Sequence, residues 1–167
     1  MTDLMIVGGG AAGLMAAICF LEECPQGKVK LLEAGERVGK KLLSTGNGRC
    51  NLTNLRAAAR DYAPADVSGV LNQLPPQRLI EKMEEMGLPC REEGEGRVYP
   101  ASDAASSVLD TLRLTAEHLG AEEVTGFEAV RVRRDAEGFV TEAADGRRER
   151  AKLLLLTTGG RAASKFA

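Results

Sequence analysis

Residues 3–23 read DLMIVGGGAAGLMAAICFLEE, and they indicate the fold class of the whole chain. The first five, residues 3–7, form a short apolar run of the kind found in strands buried in parallel sheets. Three glycines end that run, and residues 11–23 then have the composition of a helix. A second apolar run, KVKLLE at 28–33, follows the helix. Residues 1–33 therefore predict a β-α-β unit.

The glycines between the first strand and the helix satisfy the pattern GxGxxG. Gly8 permits a tight turn, and Gly10 lets the main chain come close to a pyrophosphate. Gly13 lets the helix pack against the strand, and the N-terminus of the helix offers N–H groups to the phosphates. The motif is weak alone, but its position between a strand and a helix predicts a dinucleotide site.

Glu33 ends the second strand, where a carboxylate can accept hydrogen bonds from a ribose diol. An acidic residue there disfavours a 2′-phosphate, so we expect an adenosine without one. The alternative is a glycine-rich turn in some other α/β protein, and Glu33 argues against it.

A polar loop follows, with the sequence STGNGRCNLTN at residues 44–54. It is too polar for a core strand and too rich in glycine and asparagine for a stable helix. Lys40 and Lys41 precede it and Arg49 lies within it, so it offers main-chain amides and positive charge to a second part of a long ligand. We interpret residues 34–56 as a second cofactor loop, which favours FAD over NAD because FAD extends past the first β-α-β unit.

The middle of the chain, residues 76–120, predicts a helical segment. An amphipathic helix is expected at 76–86, and a longer helix at 102–120 with Ser102 or Asp103 as its cap. Residues between these helices are expected to be irregular or hairpin-like.

From residue 124 the pattern changes to a period of two. Three strands separated by turn signals predict an antiparallel β-meander at 124–152. LLLLTTGG at 153–160 predicts one more buried strand that closes the sheet. The fold class expected is α/β: a Rossmann-like FAD/NAD(P)-binding domain with a parallel sheet and a three-stranded antiparallel β-meander, filling residues 1–167.

Composition argues against several classes of function. The net charge of −2 gives no reason to expect nucleic acid or an anionic membrane as a partner. The four cysteines contain no CxxC pair and there is one histidine, so neither a metal site nor a disulfide framework is indicated. We expect a reduced, cytoplasmic setting. The apolar N-terminus lacks a basic leader and contains four glycines, so it predicts neither a signal peptide nor a membrane span.

Five segments together resemble the BaiN-like (YhiN, aminoacetone-oxidase-like) flavoproteins: GGGAAGLMAA, LLE, GKKLLSTGNGRCNLTN, GRVYPASDAASSVLDTLR and LLLLTTGG. The resemblance covers essentially all 167 residues, and GKKLLSTGNGRCNLTN is its most specific part. Thr157 departs from the family pattern, because alanine is usual there. Members of this family continue well past TTGG into a substrate-side domain, so we expect a truncated chain, either a fragment or a shortened natural product.

The resemblance implies a noncovalent FAD, with NAD(P)H as a candidate reductant, and it implies sites along the whole cofactor. The implied positions are Gly8, Gly10, Ala11, Ala12 and Gly13 at the pyrophosphate, Glu33 and Ala34 at the ribose, Lys40, Lys41, Gly46, Gly48, Arg49, Cys50 and Asn51 toward the flavin, main chain near Ala129 at the adenine, and Thr158 and Gly159 in the closing turn. Cys50 has no second cysteine nearby in sequence, so we interpret it as a packed or backbone-positioning residue rather than a redox partner.

The expected function is that of an FAD-dependent oxidoreductase, or the FAD-binding part of one, which transfers hydride through the flavin. The alternative is a non-catalytic adenine-dinucleotide-binding module that lacks the substrate domain. A structural α/β domain without a ligand is a third reading, and the intact set of Gly8, Gly10, Gly13 and Glu33 argues against it. The sequence identifies neither the substrate nor the catalytic residues.

Overall fold

A computed structural model describes residues 1–160 and divides the chain into two compact units. Unit 1 comprises Met1–Leu42 together with the chain from Leu112 onward, and unit 2 comprises Leu43–Thr111. Within residues 1–160, none of the helices has the length and apolar character needed to span a bilayer. In chain order the elements are β1 (Thr2–Val7), α1 (Ala11–Glu23), β2 (Val29–Leu32), β3 (Thr53–Asn54), α2 (Ser68–Gln73), α3 (Pro76–Glu85), β4 (Cys90–Glu93), β5 (Arg97–Pro100), α4 (Ala105–His118), β6 (Glu122–Val124), β7 (Ala129–Asp135), β8 (Gly138–Ala143) and β9 (Arg148–Leu156).

The predicted β-α-β unit is present in unit 1. Strands β1 and β2 pair in parallel, and α1 connects them. Helix α1 buries Leu14, Ala17, Ile18 and Leu21, whose spacing places them on one face of the helix. Four consecutive residues of β1 are buried, as expected for a strand in the middle of a sheet.

Unit 1 contains a six-stranded sheet in the order β6-β2-β1-β9-β8-β7. Strands β6, β2, β1 and β9 are parallel, whereas β8 and β7 are antiparallel additions beside β9. Strand β6 was not predicted from the sequence, because its residues EEV are too few and too polar to show a strand period. The four parallel strands end at the same edge of the sheet, where ligands bind in open α/β folds.

The prediction of two separate strands at the end of the chain is wrong, because β9 is a single strand. The third strand of the meander and the closing strand were expected to be separate, but they form one nine-residue strand. Its first part, Arg148–Ala151, pairs antiparallel with β8, and its part from Ala151 to Leu156 pairs in parallel with β1. A strand has two hydrogen-bonding edges, so one strand can belong to the meander and to the parallel sheet.

The closing segment was also expected to be buried, and this is wrong for most of its leucines. Leu153, Leu155 and Leu156 are exposed, whereas Leu154 packs against the core cluster that contains Met5. Neighbouring residues of a strand point to opposite faces. Leu153 and Leu155 lie on the same face of the sheet as Leu4 and Ile6. Helix α1 packs on this face, where it covers β1 and β2.

Unit 2 contains the predicted helix near residue 76 and a small antiparallel sheet in the order β3-β5-β4. Helix α3 buries Ile80 and Met83, and the residues after it form the hairpin of β4 and β5. Helix α4 begins at Ala105, later than the expected start at 102. Asp103 has a φ of +55°, and its carboxylate binds arginine side chains.

Candidate functional site

The turn between β1 and α1 is fixed by main-chain hydrogen bonds to the neighbouring strands of unit 1. Gly8 N donates to Leu32 O at 2.8 Å, and Thr157 N donates to Val7 O at 2.8 Å. Gly39 N donates to Gly9 O at 2.7 Å, which connects the turn to the segment after β2. The turn therefore lies at the carboxyl ends of β1, β2 and β9.

Gly8 and Gly13 have the structural roles that GxGxxG predicts. Gly8 has a φ of +112°, and a Cβ on it would lie 2.5 Å from Thr157 O. A Cβ on Gly13 would overlap Gly8 O and lie 2.9 Å from Thr157 Oγ1. Only glycine allows α1 and β9 to approach the turn this closely.

Gly10 differs from the other two glycines, because it faces open space. A Cβ on Gly10 meets no atom of the described residues within 4 Å. Gly10 is the N-cap of α1 and makes no side-chain cap, and the exposed Ala11 and Ala12 follow it. The first N–H groups of a helix have no partner within the helix, and the first turn of α1 contains no acidic residue. This end of α1 can therefore accept an anion.

Glu33 lies beside this space, and its carboxylate is already oriented by two main-chain amides. Oε2 accepts from Gly9 N at 2.9 Å, and Oε1 accepts from Gly35 N at 2.8 Å. A carboxylate has about four lone-pair positions. About one acceptor position on each oxygen remains, which matches the two hydroxyls of a ribose diol.

The start of the meander lies next to Glu33. Phe127 N donates to Glu33 O at 2.8 Å, and Gly126 N donates to Gly35 O at 2.9 Å. Ala129, two residues further on, is half-buried and opens β7. The structure thus brings the predicted adenine-binding main chain to the same end of the sheet as the predicted ribose-binding carboxylate.

Gly9 and Thr157 also contribute to this turn, and neither contribution was predicted from the sequence. Gly9 is buried, and a Cβ on it would lie 2.6 Å from Val38 Cγ1 and 3.0 Å from Glu33 Oε2. The run of three glycines was the available signal, since GxGxxG does not require glycine at its second position. Thr157 contacts the turn from the end of β9, and no sequence pattern places it there.

The remaining predicted positions of unit 1 lie on the surface. Ala34, Lys40, Lys41, Thr158 and Gly159 are exposed. Gly159 has a φ of +74°, which favours glycine in the turn after β9.

The loop at 44–54 begins unit 2 and has an unusual main-chain conformation. The chain is helical with a 3₁₀ pitch over Leu42–Gly48, interrupted at Thr45, Gly46 and Asn47. Positive φ values occur at Gly46, Asn47, Gly48 and Cys50. Glycine and asparagine tolerate this region best, which explains the composition of the loop.

Arg49 is bound within unit 2 by two carboxylates and an aromatic ring. Its Nη2 donates to Asp103 Oδ1 at 2.6 Å and to Glu93 Oε1 at 2.7 Å, and its guanidinium lies 4.2 Å from the centre of the Tyr99 ring. Arg91 also binds Asp103, at 2.5 Å. Two arginines and two carboxylates thus meet in this cluster, so the positive charge of Arg49 is matched inside the chain.

The same contacts shift the acidities of the cluster. Hydrogen bonds from Arg49 lower the pKa values of Glu93 and Asp103, and both carboxylates raise the pKa of Arg49. Glu93, Asp103 and Arg49 therefore stay ionised around neutral pH.

Cys50 and Asn51 also interact within unit 2. Cys50 is buried, its N–H donates to Thr45 O at 3.0 Å, and burial raises the pKa of its thiol. Asn51 Nδ2 lies 3.3 Å from Val98 O, to which it donates. These contacts agree with the interpretation of Cys50 as a packed residue.

A parallel sheet with a GxGxxG turn after its central strand and a carboxylate after the next strand defines a dinucleotide-binding Rossmann domain. The model of a protein family described as "HI0933-like protein Rossmann domain" matches residues 2–166. The chain belongs to this family, and its Rossmann domain is of the FAD-binding type.

Two curated relatives match almost the whole of this chain. A 3-dehydro-bile acid delta(4,6)-reductase from Clostridium scindens is 38% identical over 169 residues, covering 99% of this chain and 41% of the relative. A ribosomal RNA dihydrouridine synthase from Escherichia coli is 27% identical over 161 residues, covering 95% of this chain and 39% of the relative. The chain thus spans about two fifths of the length of these relatives. The predicted resemblance to BaiN-like flavoproteins is confirmed.

Among solved structures, Escherichia coli quinol fumarate reductase FrdA matches with a TM-score of 0.67 at 21% identity. The match covers 95% of this chain and 32% of that chain. An identity this low shows the fold alone, and it confirms the predicted α/β class.

Proposed function

We propose that this chain binds FAD at the β1–α1 turn and serves an FAD-dependent reductase. The observation that carries the proposal is the open space at Gly10, beside a carboxylate with two acceptor positions left. The pyrophosphate would lie at the N-terminus of α1, and the adenosine ribose would lie at Glu33.

The arrangement favours FAD over a 2′-phosphorylated dinucleotide. The half-buried carboxylate of Glu33 would repel a 2′-phosphate at the position where a ribose 2′-hydroxyl would donate. The antiparallel strands β7 and β8 occupy the chain before β9, where a simple NAD-binding fold would continue with β-α units. The assignment of Lys40, Lys41 and residues 46–51 to the rest of the cofactor remains a prediction from the sequence.

Substitution of Gly10 tests the cofactor site. Gly10→Val and Gly10→Asn fill the open space, so each should weaken FAD binding at least about 100-fold, equivalent to about 2.7 kcal/mol. Asparagine is a preferred N-cap residue, so Gly10→Asn should keep the thermal unfolding temperature of the parent chain. FAD binding is measured by quenching of flavin fluorescence.

Gly69→Asn is a matched control, because Gly69 also meets no atom of the described residues within 4 Å. This variant should bind FAD as the parent chain does. Parent-like FAD affinity in folded Gly10→Asn would contradict the proposed position of the pyrophosphate.

The names of the two relatives favour one class of reaction. Dihydrouridine is uridine with one ring double bond saturated, and a delta(4,6)-reductase acts on double bonds of a 3-oxo steroid. In uridine and in the 3-oxo steroid, a carbon–carbon double bond that is reduced is conjugated to a carbonyl group. We therefore propose that the substrate of the reductase is a conjugated enone, with NADH or NADPH as the reductant.

Bound FAD in its reduced form would supply a hydride for the carbon β to the carbonyl of such a substrate. With a proton added to the α carbon, one double bond of the substrate would be lost. The described residues do not identify the proton donor.

Anaerobic turnover tests the reaction class. The FAD-loaded chain is mixed with NADH or NADPH and 2-cyclohexenone, with cyclohexanone as the saturated control. Consumption of the nicotinamide with the enone, together with formation of the saturated ketone, is the expected result. Tight FAD binding without turnover would favour the alternative, a non-catalytic dinucleotide-binding module.

A further inference from the structure

We propose that Thr157 is a positioning residue that orients the Glu33 carboxylate for the adenosine ribose. The proposal rests on the proposed function, because it assigns to Glu33 the ribose of bound FAD. Thr157 directly follows β9. Among the described residues, its hydroxyl hydrogen-bonds to Val7 O and Gly8 O and not to the Glu33 carboxylate. Its effect on the ribose would pass through one peptide group.

That peptide group joins Gly8 to Gly9 and is hydrogen-bonded at both ends. Thr157 Oγ1 donates to Gly8 O at 2.8 Å, with Val7 O further away at 3.2 Å. Gly9 N donates to Glu33 Oε2 at 2.9 Å. The C=O of Gly8 and the N–H of Gly9 belong to one rigid plane, so a rotation that breaks one bond also misdirects the other.

The hydroxyl has little freedom to turn away from this peptide. Thr157 Oγ1 lies in the contact between α1 and the end of β9, since a Cβ on Gly13 would come within 2.9 Å of it. Thr157 N also donates to Val7 O, which fixes the main chain of the threonine beside the turn. The donor and the peptide therefore keep a defined geometry.

Glu33 shows why this geometry matters for a ligand. Gly9 N orients Oε2, and Gly35 N orients Oε1. The acceptor positions left for a ribose diol take their direction from these two amides. Losing the Thr157 hydroxyl would free the Gly8–Gly9 peptide to rotate, so the carboxylate would meet the diol less well.

The test compares the binding of two nucleotides to the 167-residue parent chain and to two variants of it. ADP carries the ribose diol, and 2′-deoxy-ADP lacks one of its hydroxyls, so the ratio of their dissociation constants reports the contact with Glu33. Calorimetry measures both constants for the parent chain, Thr157→Val and Thr157→Ser. Valine keeps the shape of threonine without the hydroxyl, and serine keeps the hydroxyl.

The parent chain should prefer ADP by about tenfold, as one charged hydrogen bond allows. Thr157→Val should lower that preference to about threefold, and Thr157→Ser should restore it. In a Glu33→Gln background, Thr157→Val should not change the preference further, because the carboxylate that it orients is gone.

The outcomes separate the two proposals. A parent chain that binds neither ADP nor FAD would contradict the proposed function. If the parent binds both but Thr157→Val weakens ADP and 2′-deoxy-ADP equally, Thr157 only supports the fold and this inference fails. An unchanged preference in Thr157→Val also overturns it. Should Thr157→Val unfold, the comparison is made with Thr157→Ala, which also lacks the hydroxyl.

Discussion

Two glycine-rich turns were predicted to bind one cofactor, and they differ in how their polar groups are used. In the turn at Gly8–Gly13 of unit 1, the start of α1 faces open space, and Glu33 keeps acceptor positions for a ligand. In the loop at 44–54 of unit 2, Arg49 is bound by Glu93 and Asp103 and stacked on Tyr99.

The difference shows that a glycine-rich composition has two physical causes. In the first turn, Gly8, Gly9 and Gly13 are needed because other atoms approach too closely for a Cβ. In the loop, Gly46 and Gly48 are needed because the main chain has positive φ. The first turn leaves donors and acceptors for a ligand at Gly10, whereas Arg49 and Asn51 of the loop bind other residues of unit 2.

The largest effect is expected for Gly13→Ala, which tests whether close approach fixes the first turn. The new Cβ overlaps Gly8 O, and such overpacking costs about 3 kcal/mol, while the helix gains about 1 kcal/mol from alanine. The free energy of unfolding should fall by about 2 kcal/mol in urea titrations. Gly10→Ser is the control and should stay within about 0.5 kcal/mol of the parent. Equal stability of Gly13→Ala and the parent chain would mean that α1 and β1 are not in close contact.

Alkylation of the cysteines sharpens the contrast between an open surface and a packed loop. Cys19 and Cys24 are exposed, whereas Cys50 is buried and burial raises the pKa of its thiol. Because the thiolate is the reactive form, iodoacetamide should modify Cys50 at least about tenfold more slowly than Cys24. Peptide mass spectrometry over time measures the three rates. A rate for Cys50 that matches Cys24 would show that the loop opens readily in solution.

Arg49→Gln tests whether the charge cluster stabilises unit 2. The change removes one of the two arginines that bind both Glu93 and Asp103, and the side chains of Arg49 and both carboxylates are about one-third exposed or more, so the effect should be small. We expect the unfolding temperature to fall by about 2 °C in low salt and by less in high salt. Arg60→Gln is the control, because the Arg60 side chain is 84% exposed. A fall of the same size in both variants would assign no special role to the cluster.

The smallest expected effect is the pH dependence of the difference in unfolding temperature between the parent chain and Arg49→Gln. The pKa values of Glu93 and Asp103 are lowered by Arg49, so their contribution to stability is complete above the unfolded pKa values of about 4. It is lost as the pH falls through the lowered pKa values of the folded chain. The difference in unfolding temperature between the parent and Arg49→Gln should therefore be constant above about pH 5 and shrink as the pH falls through the lowered pKa values of the folded chain. A difference that does not shrink on acidification would require an interaction other than the ion pairs.

Much of the fold could be predicted, because local patterns report local structure. The apolar runs and the helix between them predicted β1, α1 and β2, and alternation with turn signals predicted β7 and β8. The prediction failed where pairing partners decide the structure. Nothing in RRERAKLLLL marks a single strand that changes partners at Ala151, and the three residues of β6 show no period.

The sequence by itself determined the type of site, because glycine spacing and Glu33 act within about 30 residues of chain. Only the tertiary structure decided which groups remain available in it. Thr157 reaches Gly8 across 149 positions, and Asp103 reaches Arg49 across 54, and no local pattern encodes either contact. A hydrogen bond depends on distance in space, so the pairing state of a polar group follows from the packed fold rather than from its neighbours in sequence.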